Sequence, residues 1–202
     1  MKVNLEKTFP MPVAPAVAWH FLQNIESVAG CMPGAKITER IDDTHYKGEV
    51  TARVGPATLS FTGTIEVLEV DPATMTLRML GKGTDRSGTS GASMDLTARI
   101  DPGDDGKSNL VGNSTVTMSG KAATFGGRMM VPVADQILKQ FAGIFATRVQ
   151  ESENELSSAS EDTAQRPDED GSAAPETSLN ALGLLWAVVK DAFGRLFGKK
   201  GS

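Results

Sequence analysis

The apolar periodicity of this chain changes once, near residue 120, and that change constrains the fold more than any other feature. Ahead of it, apolar residues alternate with polar ones. Leu59, Phe61, Gly63, Ile65 and Val67 alternate with Thr58, Ser60, Thr62, Thr64 and Glu66, the period-two pattern of an antiparallel strand with one face buried. Ala92, Met94, Leu96, Ala98 and Ile100 repeat it, as do Leu110, Gly112, Ser114, Val116 and Met118. Beyond the change, Phe125, Met129, Val133, Ile137, Phe141, Ile144 and Phe145 recur every three or four residues. That stripe predicts a long amphipathic helix over about Phe125–Glu155, loosened near Pro132.

The remaining segments fit one order. Val3, Leu5 and Phe9 predict a first strand ending near Pro10 and Pro12. Pro15–Ile25 carries Val17, Ala18, Phe21, Leu22 and Ile25 at helical spacing with Pro15 near the first turn. A second short helix or turn is expected over Glu26–Cys31. Ala35–Ile41 leads through Asp42-Asp43 into Thr44–Val54, a hairpin signal. Gly55-Pro56 turns the chain into Ala57–Val70. Asp71-Pro72 turns it again into a strand over Thr74–Gly81, with Met75, Leu77 and Met79 inward, and the run Asp101–Gly106 is a further turn. The fold class is therefore α+β: a curved antiparallel sheet of about six to seven strands wrapped around a long helix that follows it.

A sheet of this kind cannot close on a helix along its whole length, so an internal cavity is expected. Its lining would be what points inward: Leu59, Phe61, Met75, Leu77, Met79, Met94, Leu96, Met118, Phe125, Met129, Val133 and Phe141. Gly63, Ala92, Gly112 and Ser114 are small inward positions that leave room. Methionine is frequent in this set, and its flexible thioether adapts to irregular apolar shapes. The same residues also fit a filled core, and the sequence leaves both readings open.

Charge divides the chain into three parts. Residues 1–150 balance 15 acidic against 15 basic side chains, residues 151–176 carry nine acids against Arg166, and residues 177–202 carry four bases against Asp191. A neutral body gives no electrostatic footprint for nucleic acid. The expected organisation is a ligand-binding domain over 1–155, a disordered acidic linker over 156–176 and an amphipathic helix over 177–202. On that last helix, Leu179, Leu182, Leu185, Trp186, Val189, Phe193, Leu196 and Phe197 share one stripe. Its longest uncharged run, Thr177–Val189, is 13 residues, and a membrane span needs about 20. The stripe suits a helix lying in a membrane interface, with Arg195, Lys199 and Lys200 among anionic headgroups. Docking on its own domain or in a partner groove is the competing reading.

The lone Cys31 offers no internal disulfide and fits a reducing compartment. The opening MKVNLEKTFPMPV has no apolar h-region, so a cytoplasmic protein, peripheral on the inner face of the membrane, is expected.

No catalytic set emerges. His20 and His45 lack Cys or carboxylate neighbours at ligand spacing, so no metal is expected. Cys31 reads as a small buried apolar residue. The pairs Asp42-Asp43 and Asp104-Asp105 fall in turn signals, where Asp is favoured for backbone reasons. Gly81–Gly88 superficially suggests a phosphate loop. It lacks Gly-Lys-Ser/Thr in order and joins two strands. A bulged hairpin loop at the cavity mouth is expected instead, in which Arg86 either pairs with Asp85 or meets a ligand headgroup. The alternation also turns Glu69 inward, near a strand end.

The opening helix with Ala18-Trp19, then Cys31-Met32-Pro33-Gly34-Ala35, resembles the start of the CoxG family of carbon monoxide dehydrogenase accessory proteins. So do Tyr46-Lys47-Gly48, the Val54-Gly55-Pro56 turn leading to Phe61-x-Gly63, and Gly81-Lys82-Gly83-x-Asp85. The resemblance covers about residues 1–150 and implies the helix-grip, or START-like, lipid-binding fold. It implies a non-enzymatic accessory protein whose partners are a carbon monoxide dehydrogenase-type molybdenum hydroxylase and the anionic surface of the cytoplasmic membrane. The carried ligand would be menaquinone or another isoprenoid respiratory quinone. Two alternatives stay open: a recruitment scaffold with no ligand, and a START-like lipid-binding enzyme.

Overall fold

A computed structural model describes residues 1–161. Among them, seven strands form one antiparallel sheet in the order β1-β7-β6-β5-β4-β3-β2. The strands are β1 (Lys2–Met11), β2 (Ala35–Arg40), β3 (His45–Val54), β4 (Ala57–Asp71), β5 (Thr76–Asp85), β6 (Ser90–Pro102) and β7 (Ser108–Gly120). Two short helices, α1 (Pro15–Leu22) and α2 (Ile25–Ala29), separate β1 from β2. A 3-10 turn over Lys121–Phe125 leads into the long helix α3 (Gly126–Glu161).

Local chemistry sets most of the boundaries. Pro15 begins α1, where its missing N–H costs nothing. Asn24 caps α2 by accepting the Ser27 N–H at 3.0 Å. In the β2–β3 hairpin the Asp42 carboxylate accepts the backbone N–H groups of Thr44 and His45, each at 2.8 Å. These bonds, led by that from Thr44, hold its pKa far below the usual carboxylate range. Asp85 does the same for the β5–β6 turn, accepting the Ser87 and Thr89 hydroxyls and the Ser90 N–H. That binding settles Asp85 within its own turn rather than in a pair with Arg86. The turn is shorter than the Gly83–Gly91 loop expected, because β5 pairs with β6 as far as Thr84↔Gly91.

Three further expectations are corrected. Met75 lies in the turn before β5, with φ at 49°, and not on the strand. Glu69 faces outward, because a bulge between Val67 and Glu69 shifts the β4–β5 register and flips the alternation. There it lies 3.8 Å from the Arg78 guanidinium on the outer face. The long helix begins one residue later than expected and runs six residues further, to Glu161. The rest of the acidic linker, residues 162–176, lies outside the described residues. So do the terminal segment 177–202 and its Leu182, Leu185, Trp186, Val189, Phe193, Leu196, Phe197, Lys199 and Lys200.

The main core lies at one end of the sheet. There α1, α2 and the C-terminal half of α3 cover Leu77, Met79, Ala98, Ile100 and Leu110. Phe145 is fully buried and meets Phe21 edge-to-face at 5.0 Å. A smaller cluster of Phe61, Met118 and Ala122 closes the other end.

Candidate functional site on the concave face

Burial along the strands identifies the face turned toward α3. It carries the odd residues of β1 and β5 and the even residues of β3, β6 and β7, on which the core residues all lie. Of the twelve residues expected to line a cavity, Leu77 and Met79 are buried in the main core. Met75, Met94, Leu96 and Phe141 pack against that core. Phe61 and Met118 belong to the second cluster, with Leu59 packed on it. Phe125 is half-buried in the 3-10 turn, Val133 is half-buried on α3, and Met129 is 42% exposed. The expected lining therefore divides between two packed ends rather than forming one uniform wall.

Between those ends the concave face is built of small residues. Gly48, Gly63, Gly83 and Ala92 stand opposite one another across four strands. They are small for different reasons. A Cβ on Gly63 would lie 1.9 Å from the Lys82 carbonyl oxygen, so close strand approach requires that glycine. Gly112 differs: a Cβ there would meet nothing within 4 Å. Gly112 thus borders open space, whereas Gly63 is a backbone necessity.

The N-terminal half of α3 does not seal this region. Val50 shares its face with the buried Tyr46 and Val54, yet is 39% exposed. Met129 and Val131 are also exposed, and nothing lies within 4 Å of a Cβ built on Gly127. Met129 reaches toward the β3–β4 turn, its methyl 3.3 Å from where a Cβ on Gly55 would sit. Pro132 lacks the N–H that would bond the Arg128 carbonyl, which loosens the helix at this point. The inner face is thus apolar, lined by small residues at its centre, and accessible beside the first turns of α3.

Sequence reasoning missed one polar feature of the same face. Lys7 occupies an inward position of β1, in phase with Leu5 and Phe9, and its Nζ lies 2.9 Å from Asp135 Oδ1 on α3. The contact is one of charge, because its angles fall short of a hydrogen bond. The two side chains are 37% and 36% exposed. Directly opposite Lys7 on β7 is Gly112, and opposite the neighbouring inward Leu5 is Ser114. Ser114 Oγ is buried and has no hydrogen-bond partner among the described residues. The in-phase position of Lys7 within an otherwise apolar strand face was the available signal.

The other titratable candidates lie elsewhere. Cys31 is fully buried and its thiol donates to the Ser27 carbonyl at 3.4 Å. Burial raises its pKa, and the charge and hydrogen bond of Arg148 only partly oppose this, so the reactive thiolate is disfavoured. His20 is exposed on α1. His45 Nδ1 lies 3.0 Å from the Asp42 carboxylate inside the hairpin. No group of three or more His, Cys, Asp or Glu is placed to hold a metal ion among the described residues. Two open polar depressions of about 460 and 400 Å³ lie on the outer face, around Arg78 and Asp95 and around Lys82 and Thr84. No helix among the described residues is long and apolar enough to cross a membrane.

Comparison with known proteins agrees with this architecture. The family model of CoxG, a carbon monoxide dehydrogenase subunit, matches residues 8–150. No curated protein sequence matches the chain. A conserved protein from Geobacillus kaustophilus is 20% identical, with a TM-score of 0.66 over 74% of this chain and 97% of its own. A START superfamily protein from Mycobacterium smegmatis is 15% identical, with a TM-score of 0.51 over 73% and 97%. The Zhui aromatase/cyclase from Streptomyces sp. R1128 is 13% identical, with a TM-score of 0.53 over 74% and 94%. At these identities the likeness is one of fold. The family match spans most of the chain, which belongs to the CoxG family of carbon monoxide dehydrogenase subunits.

Proposed function

We propose that this member of the CoxG family is a non-enzymatic accessory protein that carries an isoprenoid quinone, menaquinone-like, on its concave face. It moves the quinone between the cytoplasmic membrane and a carbon monoxide dehydrogenase-type molybdenum oxidoreductase. The family match supports the dehydrogenase as partner. The observation that carries the ligand reading is the accessible apolar face beside the first turns of α3, where Val50 is exposed and Gly112 borders open space. Removing a long isoprenoid chain from water onto such a face is favourable at about 25 cal/mol per Å² of apolar surface. The terminal amphipathic segment tethers the body to the membrane and keeps its local concentration there high, so it loads and docks without diffusing away.

Mass spectrometry of an organic extract of protein purified without detergent from a quinone-producing host tests this reading. A near-stoichiometric quinone is expected. A clean blank refutes the carrier function and leaves recruitment of the dehydrogenase as the role. A version ending at residue 176 should keep its quinone and lose sedimentation with anionic liposomes; unchanged sedimentation would remove the terminal segment as the tether.

A further inference from the structure

We infer that Lys7, braced by Asp135, and Ser114 form the headgroup station of the concave face, and that it accepts a neutral carbonyl-bearing headgroup. The inference rests on the carrier reading and adds what recognises the polar end of the ligand. Lysine carries three N–H donors. Asp135 balances the charge at 2.9 Å without an aligned hydrogen bond, which leaves the ammonium free to turn a donor toward the open face. Ser114 offers a further donor, a buried hydroxyl with no acceptor. A buried donor left unmade is costly, so such a cluster is stable only if something supplies acceptors. Ser114 is the diagonal neighbour of Lys7 across the β1–β7 pair, at a separation that a long side chain bridges.

Three features define the occupant. Lys7 and Ser114 both present donors, so the occupant brings acceptor oxygens. The Lys7 charge is already balanced by Asp135, so a neutral oxygen fits better than a second carboxylate or a phosphate, which would compete with Asp135. The open space at Gly112 lies between the donors, facing Lys7 directly. A quinone carbonyl satisfies all three, with its isoprenoid tail running along the apolar face toward Val50 and Met129. A purely mechanical strut between β1 and α3 would account for Lys7 and Asp135, but it leaves Ser114 and the gap at Gly112 unexplained.

The test pairs ligands with variants of the full chain. Calorimetric titration would compare a menaquinone with a two-isoprene tail and the naphthalene hydrocarbon bearing the same methyl group and tail but no carbonyls. In Lys7→Met the quinone should bind about tenfold more weakly while the hydrocarbon is unaffected, as loss of a hydrogen bond from a charged donor requires. Ser114→Ala, a small change that keeps the fold, should weaken the quinone alone by a few-fold. Equal weakening of both ligands in Lys7→Met, with no effect of Ser114→Ala, would identify a strut and overturn the inference. Binding of neither ligand to the natural chain would overturn the carrier reading itself. Dioleoylglycerol, which offers ester carbonyls, serves as a third probe. Tighter binding of it than of the quinone would assign the station to an ester lipid and overturn the quinone headgroup.

Discussion

The two halves of α3 are continuous in one helix and differ in almost everything else. The C-terminal half buries Ala142, Phe145 and Val149 against α1, α2 and the sheet. Phe145 meets both Phe21 and Phe141, and Arg148 donates to the Ser27 carbonyl at 3.4 Å. The N-terminal half exposes Met129 and Val131, contains Pro132, and makes its charged contact through Asp135 to Lys7. The cause is the placement of α1 and α2, which fill one end of the curved sheet and leave the other end without an equivalent plug. A single amphipathic stripe thus serves two purposes: one half fastens the fold, and the other forms one wall of a binding face.

The largest expected effect breaks the comparison if it is wrong. Phe145→Ala should cost about 3–5 kcal/mol of stability, as for a buried aromatic whose cavity cannot collapse. Met129→Ala should stay within about 0.5 kcal/mol, as for an exposed position. Urea denaturation of both variants measures the difference. Comparable losses would mean that the N-terminal half packs as tightly as the C-terminal half, and the open face would be lost with the distinction.

Val50→Asp is the next test, because Val50 faces inward yet keeps contact with solvent. A charge there should reduce recovered quinone by about tenfold, since it must be desolvated against an apolar tail. The same charge should cost little stability. Quinone recovery and the urea midpoint, measured on one preparation, separate the two. If the midpoint falls in step with recovery, Val50 belongs to the core and not to the mouth. Phe141 is the contrasting site: a charge there should unfold the main cluster before any ligand is lost.

The sequence carried the architecture because period alone separates strand from helix, and the seven strands and α3 follow those periods closely. It lost information where the backbone departs from ideal alternation. Glu69 reads inward until the bulge after Val67 turns it out, and bulges leave no periodic trace. Met75 reads as a strand residue because its apolar character survives in a turn that holds it at positive φ. Gly63 and Gly112 are indistinguishable as letters, although one is demanded by a neighbouring carbonyl and the other faces open space. The pairing of Lys7 with Asp135 joins residues more than a hundred positions apart, and only the register of β1 against β7 and the docking of α3 bring them together. Local pattern therefore located the binding face but could not divide its lining between packing and access.

The smallest expected effect concerns the rim of the sheet, which neither half of α3 holds. Asp42, Asp71 and Asp85 each have a pKa lowered by hydrogen bonds within their own turns, led by Thr44, Thr74 and Ser87 respectively. A carboxyl whose folded pKa lies below its unfolded value contributes stability that is present above the unfolded value, about 3.9. That contribution is lost as pH falls toward the folded value. All three groups lie at the surface, where solvent screening keeps each contribution modest. Acidification below about pH 4 should therefore lower the melting temperature of the natural chain more than that of a variant carrying Asp42→Asn, Asp71→Asn and Asp85→Asn. At neutral pH the variant should bind quinone as the natural chain does, because these turns close hairpins and supply nothing to the concave face. Identical acid profiles would show that the turn carboxylates contribute no differential stability. A loss of quinone at neutral pH would show that the hairpin rim shapes the mouth, and the distinction between the halves of α3 would have to be extended to the strands facing them.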